Sequence, residues 1–270
     1  MDTTTDYSKH KFWHIPILQH SLWLAPLSLV VGVALWQAVT VWTHVPAFIL
    51  PGPGLVWLSF LRALSDGSLL RNTWVTFQEV ILGLLLGSGL ATILGYLLAK
   101  SRLAERLLAP YLVASQAIPT VAIAPLLIIW FGSGMPSKVL ICALIVFFPV
   151  LVNTMVGLQA VPENLKDLMA SLQATPWQTL RYLEVPAALP VFLGGLRIGA
   201  TLAVIGAVVG EFVAANQGLG FLISVARGQY DTALVFVAIF TLVLLALALY
   251  GIVLWLESRL LAWQPWRQTH

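Results

Sequence analysis

Charge is what this chain has least of. Lys, Arg, Asp and Glu supply 9% of its 270 residues, while hydrophobic types supply 59%. Its mean hydropathy is +0.91. A soluble domain needs far more polar surface than that to face water. Cysteine is equally scarce. The single Cys142 excludes an intrachain disulfide and, set in an apolar run, reads as a small buried hydrophobe. No short apolar core ending in a small-residue cleavage site follows the N-terminus, so residues 1–21 read as a polar tail rather than a cleaved leader. A phosphate-cradling G-x-x-x-x-G-K-S/T loop is missing, and the chain is not expected to bind ATP itself. The histidines lack metal-ligand spacing; His10, His14 and His20 belong to the tail. Without a nucleophile–base pair or an Asp/Glu/His cluster, neither catalysis nor a cofactor is expected. The net charge of +3 is small, and its basic residues are scattered between apolar segments, a pattern of membrane topology rather than of nucleic-acid contact.

What is abundant is long apolar sequence. A helix needs about 20 apolar residues to cross a bilayer. Six segments qualify: Leu22–Trp42, Trp74–Ala99, Leu107–Phe131, Lys138–Leu158, Leu189–Glu211 and Thr232–Leu256. The fold class is therefore an all-α membrane protein with six transmembrane helices. Pro110, Pro119, Pro125 and Pro149 interrupt the third and fourth spans and predict kinks there. Turn chemistry separates the spans at Leu50-Pro51-Gly52-Pro53-Gly54, Gly132–Pro136 and Asn216–Gly220. Between the first and second spans, Leu55–Leu64 fits a short interfacial helix. Placing both termini inside the cell puts Lys9, Lys11, Lys100, Arg102, Arg106, Lys166, Arg181, Arg259 and Arg267 inside. Only Arg62, Arg71, Lys138 and Arg227 are then outside, as the positive-inside bias requires.

Small residues repeat every four positions at Gly83, Gly87, Ala91 and Gly95, and again at Gly195, Gly199 and Ala203, followed by Gly206 and Gly210. Such ridges let membrane helices approach closely, within one chain or at a dimer seam. Polar groups at membrane depth are costly and often functional. Gln116, Asn153, Arg197 and Glu211 are the candidate pathway or gate residues, each weighed against an ordinary structural bond. Arg197 is expected to reach the inner headgroups or the inner loop, and Glu211 to bond a neighbouring helix or the Gly218 loop. Glu79 receives no role.

The longest polar-rich stretch beyond the N-terminal region is Val161–Pro190. It reads as a helix over Glu163–Leu172, a turn at Thr175-Pro176 with Thr175 as N-cap, and a second short helix through Arg181. Two amphipathic helices beyond the membrane make a rigid protrusion. This segment resembles the cytoplasmic "EAA" loop of binding-protein-dependent ABC importer permeases, whose pattern is Glu-Ala-Ala, three residues, Gly, nine residues, Ile-x-Leu-Pro. Asp167-Leu168-Met169 falls on the first three positions, Gln173 on the glycine and Leu183-Glu184-Val185-Pro186 on the end. Gln173 is the largest departure and calls the tight turn into question unless Thr175 and Pro176 supply it. The flanking Pro186–Pro190, Gly194-Gly195-Leu196-Arg197, Gly210-Glu211-Phe212 and Gly218-Leu219-Gly220 resemble the nitrate/sulfonate/taurine branch, which also includes riboflavin and thiamine-precursor carriers.

The resemblance implies a permease domain over residues 22–260, with a coupling loop at 161–186 and cytoplasmic tails at 1–21 and 261–270. It implies Glu163, Asp167, Ala170, Ser171, Gln173, Ala174, Thr175 and Trp177 as the surface that meets a cytoplasmic ATPase. ATP and Mg would then sit on that partner alone. A second permease copy, making a homodimer, and an extracytoplasmic solute-binding protein complete the implied assembly. The solute would be a sulfonate, taurine, nitrate, bicarbonate, or a pyrimidine- or riboflavin-type vitamin. The rival class is a motor-independent secondary transporter or channel. It would more often show inverted repeats or paired intramembrane ionisable residues, and it gives the protrusion no purpose.

Overall fold

The chain folds around one membrane helix held between two ridges of small residues. The computed structural model describes residues 21–263 and is all helical over them, in the order α1 (Ser21–Thr43), α2 (Pro53–Ser65), α3 (Ser68–Lys100), α4 (Arg102–Gln116), α5 (Thr120–Phe131), α6 (Met135–Gln159), α7 (Glu163–Ser171), α8 (Pro176–Thr179), a π-helical turn (Leu180–Glu184), α9 (Val185–Val213), α10 (Leu219–Gly228) and α11 (Thr232–Leu260). Five runs are long and apolar enough to cross a bilayer: Pro26–Thr43, Ser68–Lys100, Met135–Gln159, Pro176–Val213 and Thr232–Leu260.

The predicted third span, Leu107–Phe131, is not one helix. It breaks after Gln116, and α5 begins at Thr120 with Pro119 as its N-cap (φ −60°, ψ 118°). Pro119 offers no N–H to continue the ladder and biases Ile118 away from helical backbone. Pro110 and Pro125 stay inside their helices. The second short helix of the polar stretch also differs from its predicted end at Arg181. It runs on through the π turn into α9, so Pro176–Val213 is one continuous helical run of 38 residues. Pro186 falls where the π turn hands over to α9, at the start of a new ladder, where a missing N–H costs least.

Helix α6 is the centre. Gly83, Gly87 and Gly95 of α3 meet it at Cys142, Ala143 and Thr154; Gly195, Gly199 and Gly206 of α9 meet it at Asn153, Val146 and Cys142. Both ridges are thus spent on packing within the chain. Lipid tails are as apolar as leucine, so this close backbone approach, not hydrophobic burial alone, holds the three helices together. Val80, Ala91, Cys142, Val146, Val150 and Ala203 form the fully buried centre.

A second cluster joins α2, α10 and α11 through Val56, Ala63, Leu219, Leu222 and Val237. Helix α2 takes the place predicted for Leu55–Leu64, opening on Pro53 in its first turn. Asp66 then starts α3 by accepting from the Ser68 N–H at 2.8 Å, and its bonds with Ser68 hold its carboxyl below the usual range. Helix α1 keeps Leu27, Leu29, Leu35 and Val41 exposed and touches the bundle where Trp36 stacks on Phe236 at 5.4 Å.

Candidate functional site

The polar stretch stands clear of the bundle. No residue of α7 or α8 is buried. Pro162 precedes α7, and Glu163 lies in its first turn, where a carboxylate suits the positive end of the helix. The helix then ends in a Schellman motif: the Gln173 N–H donates to the Ala170 carbonyl at 2.9 Å, and the Ala174 N–H to Met169 at 3.0 Å. Gln173 takes φ +55° to do this. The family's glycine position therefore keeps its left-handed backbone here with a glutamine in it. The turn lies at Gln173 itself, and Thr175-Pro176 does not replace it but follows it.

Thr175 opens α8 with a reciprocal capping box. Its hydroxyl accepts from the Gln178 N–H at 3.3 Å, and its own N–H donates to Gln178 Oε1 at 2.8 Å. A left-handed residue with a Cβ is strained by roughly 1–2 kcal/mol. Gln173→Gly is expected to relieve most of this and raise the melting temperature of the detergent-purified protein by about 2 °C, whereas Gln173→Val lowers it. Equal melting of all three proteins would contradict a strained turn.

Around this turn Glu163, Asp167, Ala170, Ser171, Gln173, Thr175 and Trp177 are exposed, and Ala174 is half-buried. The structure adds Leu168, Leu172 and Tyr182, and with Trp177 these are 53%, 68%, 68% and 64% exposed. Leu168 and Leu172 lie one turn apart on α7 and share a face. Large apolar side chains exposed on an otherwise polar protrusion are of the kind that contact another protein or a membrane.

At the root of the protrusion Glu184 is buried, 4% exposed, and pairs with Lys100 at the end of α3 across 2.5 Å. The Lys100 ammonium lies over the Tyr96 ring at 5.5 Å. Sequence reading gave Glu184 no role. Its one visible signal is a carboxylate at the variable position of the terminal Leu-x-Val-Pro.

Polar groups within the helices fall into separate clusters. Glu211 accepts from the Thr76 hydroxyl at 2.6 Å and from the Gly220 N–H. The neighbouring loop is tied to α3 as well: the Gly218 N–H donates to Asn72 Oδ1 and the Leu219 N–H to Thr76 Oγ1, each at 2.8 Å. Gly218 has φ +112°, and a Cβ there would collide with the Glu211 carboxylate, so both backbone and space require glycine. Glu79 faces the same cluster and lies 3.6 Å from Lys138 Nζ. Lys138 is buried in the first turn of α6 and donates to the Ser133 carbonyl at 3.0 Å.

Arg197 reaches neither the inner loop nor an unpaired position. It pairs with Glu257 of α11 and lies over the Tyr250 ring at 5.6 Å. Asn153 donates to the Pro149 carbonyl at 2.8 Å and packs against Gly195. Gln116 is the last residue of α4, and its side chain lies outside the described atoms, as do His10, His14 and His20. Asn153, Arg197 and Glu211 thus each make a separate contact.

The family described as "Binding-protein-dependent transport system inner membrane component" matches residues 83–262. The chain is 49% identical over 250 residues to the riboflavin transport system permease protein RibX of Chloroflexus aurantiacus, covering 92% of this chain and 93% of that one. It is 38% identical over 217 residues to the formylaminopyrimidine transport permease protein ThiX of Halalkalibacterium halodurans, covering 80% and 86%. Among solved structures it is similar to the MetNI methionine ABC transporter in its inward facing conformations, with a TM-score of 0.58 at 20% identity, covering 70% of this chain and 96% of that one.

Proposed function

The chain belongs to the inner membrane components of binding-protein-dependent transport systems, and from that premise we propose that it forms the translocation pathway of an ABC importer for a small heteroaromatic vitamin or vitamin precursor. Two copies would enclose the pathway, with both termini and the 161–186 loop in the cytoplasm. An extracytoplasmic binding protein would deliver the solute. Cytoplasmic ATPases, holding ATP and Mg, would dock on Glu163–Trp177 and drive alternating access.

One observation carries the motor-driven reading: a protrusion with no buried residue, closed by a Schellman turn and a capping box, that offers Leu168, Leu172 and Trp177 to a partner. A rigid lever with an apolar tip serves a protein that pushes. Charge supports the solute class. Lys138 of α6 and Arg197 of α9 are each answered by a carboxylate, Glu79 and Glu257. A small anion such as nitrate or a sulfonate would have to compete with those carboxylates for either cation. A neutral ring system needs none, and the names of the relatives RibX and ThiX belong to such compounds.

Proteoliposomes holding this chain with a candidate ABC ATPase and solute-binding protein from the same genome provide the test. Riboflavin and formylaminopyrimidine are offered in turn, with taurine as the anionic control. ATP-dependent uptake of a heteroaromatic compound and none of taurine is expected. Uptake of taurine alone would overturn the solute class, and uptake that proceeds without ATP would overturn the importer.

A further inference from the structure

We infer that the Lys100–Glu184 ion pair is the link through which movement of the docking loop reaches α3 and the α4–α5 segment; this rests on reading 161–186 as the ATPase-docking loop. The helical run from Pro176 to Val213 is unbroken, about 57 Å long at the usual rise, so a push on its exposed end is felt along its whole length. What that run grips where it enters the membrane decides which other helices follow it.

Where the lever enters the membrane it does not pack directly on α3; further along, both helices are held against α6. An apolar groove of 410 Å³ opens there, lined by Ile93, Tyr96 and Leu97 of α3 and by Leu180, Val185 and Ala188 at the root of the lever. Beside this groove the carboxylate of Glu184 meets Lys100 at 2.5 Å. Their residues lie 84 positions apart in the chain, so the contact is tertiary and not a consequence of local helix geometry.

Both partners sit at changes of backbone geometry. Glu184 ends the π-helical turn, a wider helical geometry frequent at functional sites. Lys100 ends α3, and the next residue, Ser101, is extended (φ −128°, ψ 103°) before α4 begins. Helix α4 opens on that joint: the Glu105 N–H donates to the Ser101 carbonyl at 2.9 Å and the Ala104 N–H to Ser101 Oγ at 3.2 Å. A displacement of Glu184 therefore pulls the pivot on which the broken third span turns. Burial is one-sided. The Lys100 side chain is 46% exposed but that of Glu184 only 5%, and among the described residues Glu184 Oε2 has no hydrogen-bond partner, so moving Glu184 away from Lys100 would strand a buried carboxylate. Lys100 follows because that is cheaper than separation.

Charge reversal tests this in the complex with the ATPase. Spin labels are placed at Leu107 of α4 and Ile198 of α9, both exposed, in a Cys142→Ala background, and their separation is measured before and after trapping with ATP, Mg and vanadate. The parent complex is expected to change distance on trapping. Lys100→Glu and Glu184→Lys each still copurify with the ATPase but lose that change; the double exchange restores it, and Lys100→Arg never loses it. Single reversals that respond like the parent would overturn the inference, as would a well-assembled double exchange that stays unresponsive or a parent that does not respond. A parent that never binds the ATPase would instead overturn the docking reading beneath it.

Discussion

Gly87→Leu is expected to leave no monodisperse protein after detergent extraction, whereas Gly89→Leu, two residues along the same helix, melts at or above the parent temperature. A Cβ on Gly87 would lie 2.5 Å from the Ala143 carbonyl oxygen and 2.9 Å from its Cα, and both are backbone of α6 that no rotamer change can move. Gly89 has nothing within 4 Å of the same position and is exposed on α3. Overpacking alone costs about 1–3 kcal/mol in a core that can yield. Here relief requires parting α3 from α6 along the seam that also contains Gly83 and Gly95, so the loss is set at the upper end or beyond. Gly89→Leu replaces a poor helix former and gains up to about 1 kcal/mol. Size-exclusion profiles and melting temperatures of the two variants decide it. A Gly87→Leu protein that elutes and melts as the parent does would show that α3 and α6 are not held by close backbone approach.

The glycine ridges were legible as ridges, because spacing by four puts small residues on one face. What received them was not. Cys142, Ala143 and Asn153 of α6 have nothing in their local sequence to mark them as the common floor under both ridges, and the choice between an intrachain seam and a dimer seam needed coordinates. Breaks behaved likewise. The prolines of the third span were visible, but only Pro119 ends a helix, since neighbouring chain can satisfy the carbonyls freed by Pro110 and Pro125. Charges were readable one at a time and their partners were not. Arg197 with Glu257 and Lys100 with Glu184 are contacts between helices 60 and 84 residues apart, set by tertiary packing that no window of sequence contains. The 161–186 stretch was the most legible part, since turn chemistry is local: Thr175 caps α8 as its sequence position suggests. Gln173 went the other way. A β-carbon at the glycine position argued against the left-handed turn, yet two backbone hydrogen bonds from the Schellman motif hold it at φ +55°.

The second large effect belongs to that loop. Leu172 and Trp177, 68% and 64% exposed, flank the Gln173 turn, in a stretch with no buried residue. Neither contributes to the core, so replacing them with aspartate leaves the bundle intact. If they seat in an ATPase groove, each replacement removes an apolar anchor and buries a carboxylate in its stead. A well-seated anchor costs at least about 2 kcal/mol on truncation, near 30-fold in affinity, and two together on the order of 1,000-fold. Substituting Asp167, at the first position of the degenerate motif, acts at the same surface through charge and is expected to cost less.

Affinity of the purified chain for an ABC ATPase from the same genome, compared between the parent and Leu172→Asp/Trp177→Asp, is the most direct test. The account predicts tight binding by the parent and its loss in the double variant, with an unchanged melting temperature. Equal binding by both proteins, or no binding by the parent, would contradict it.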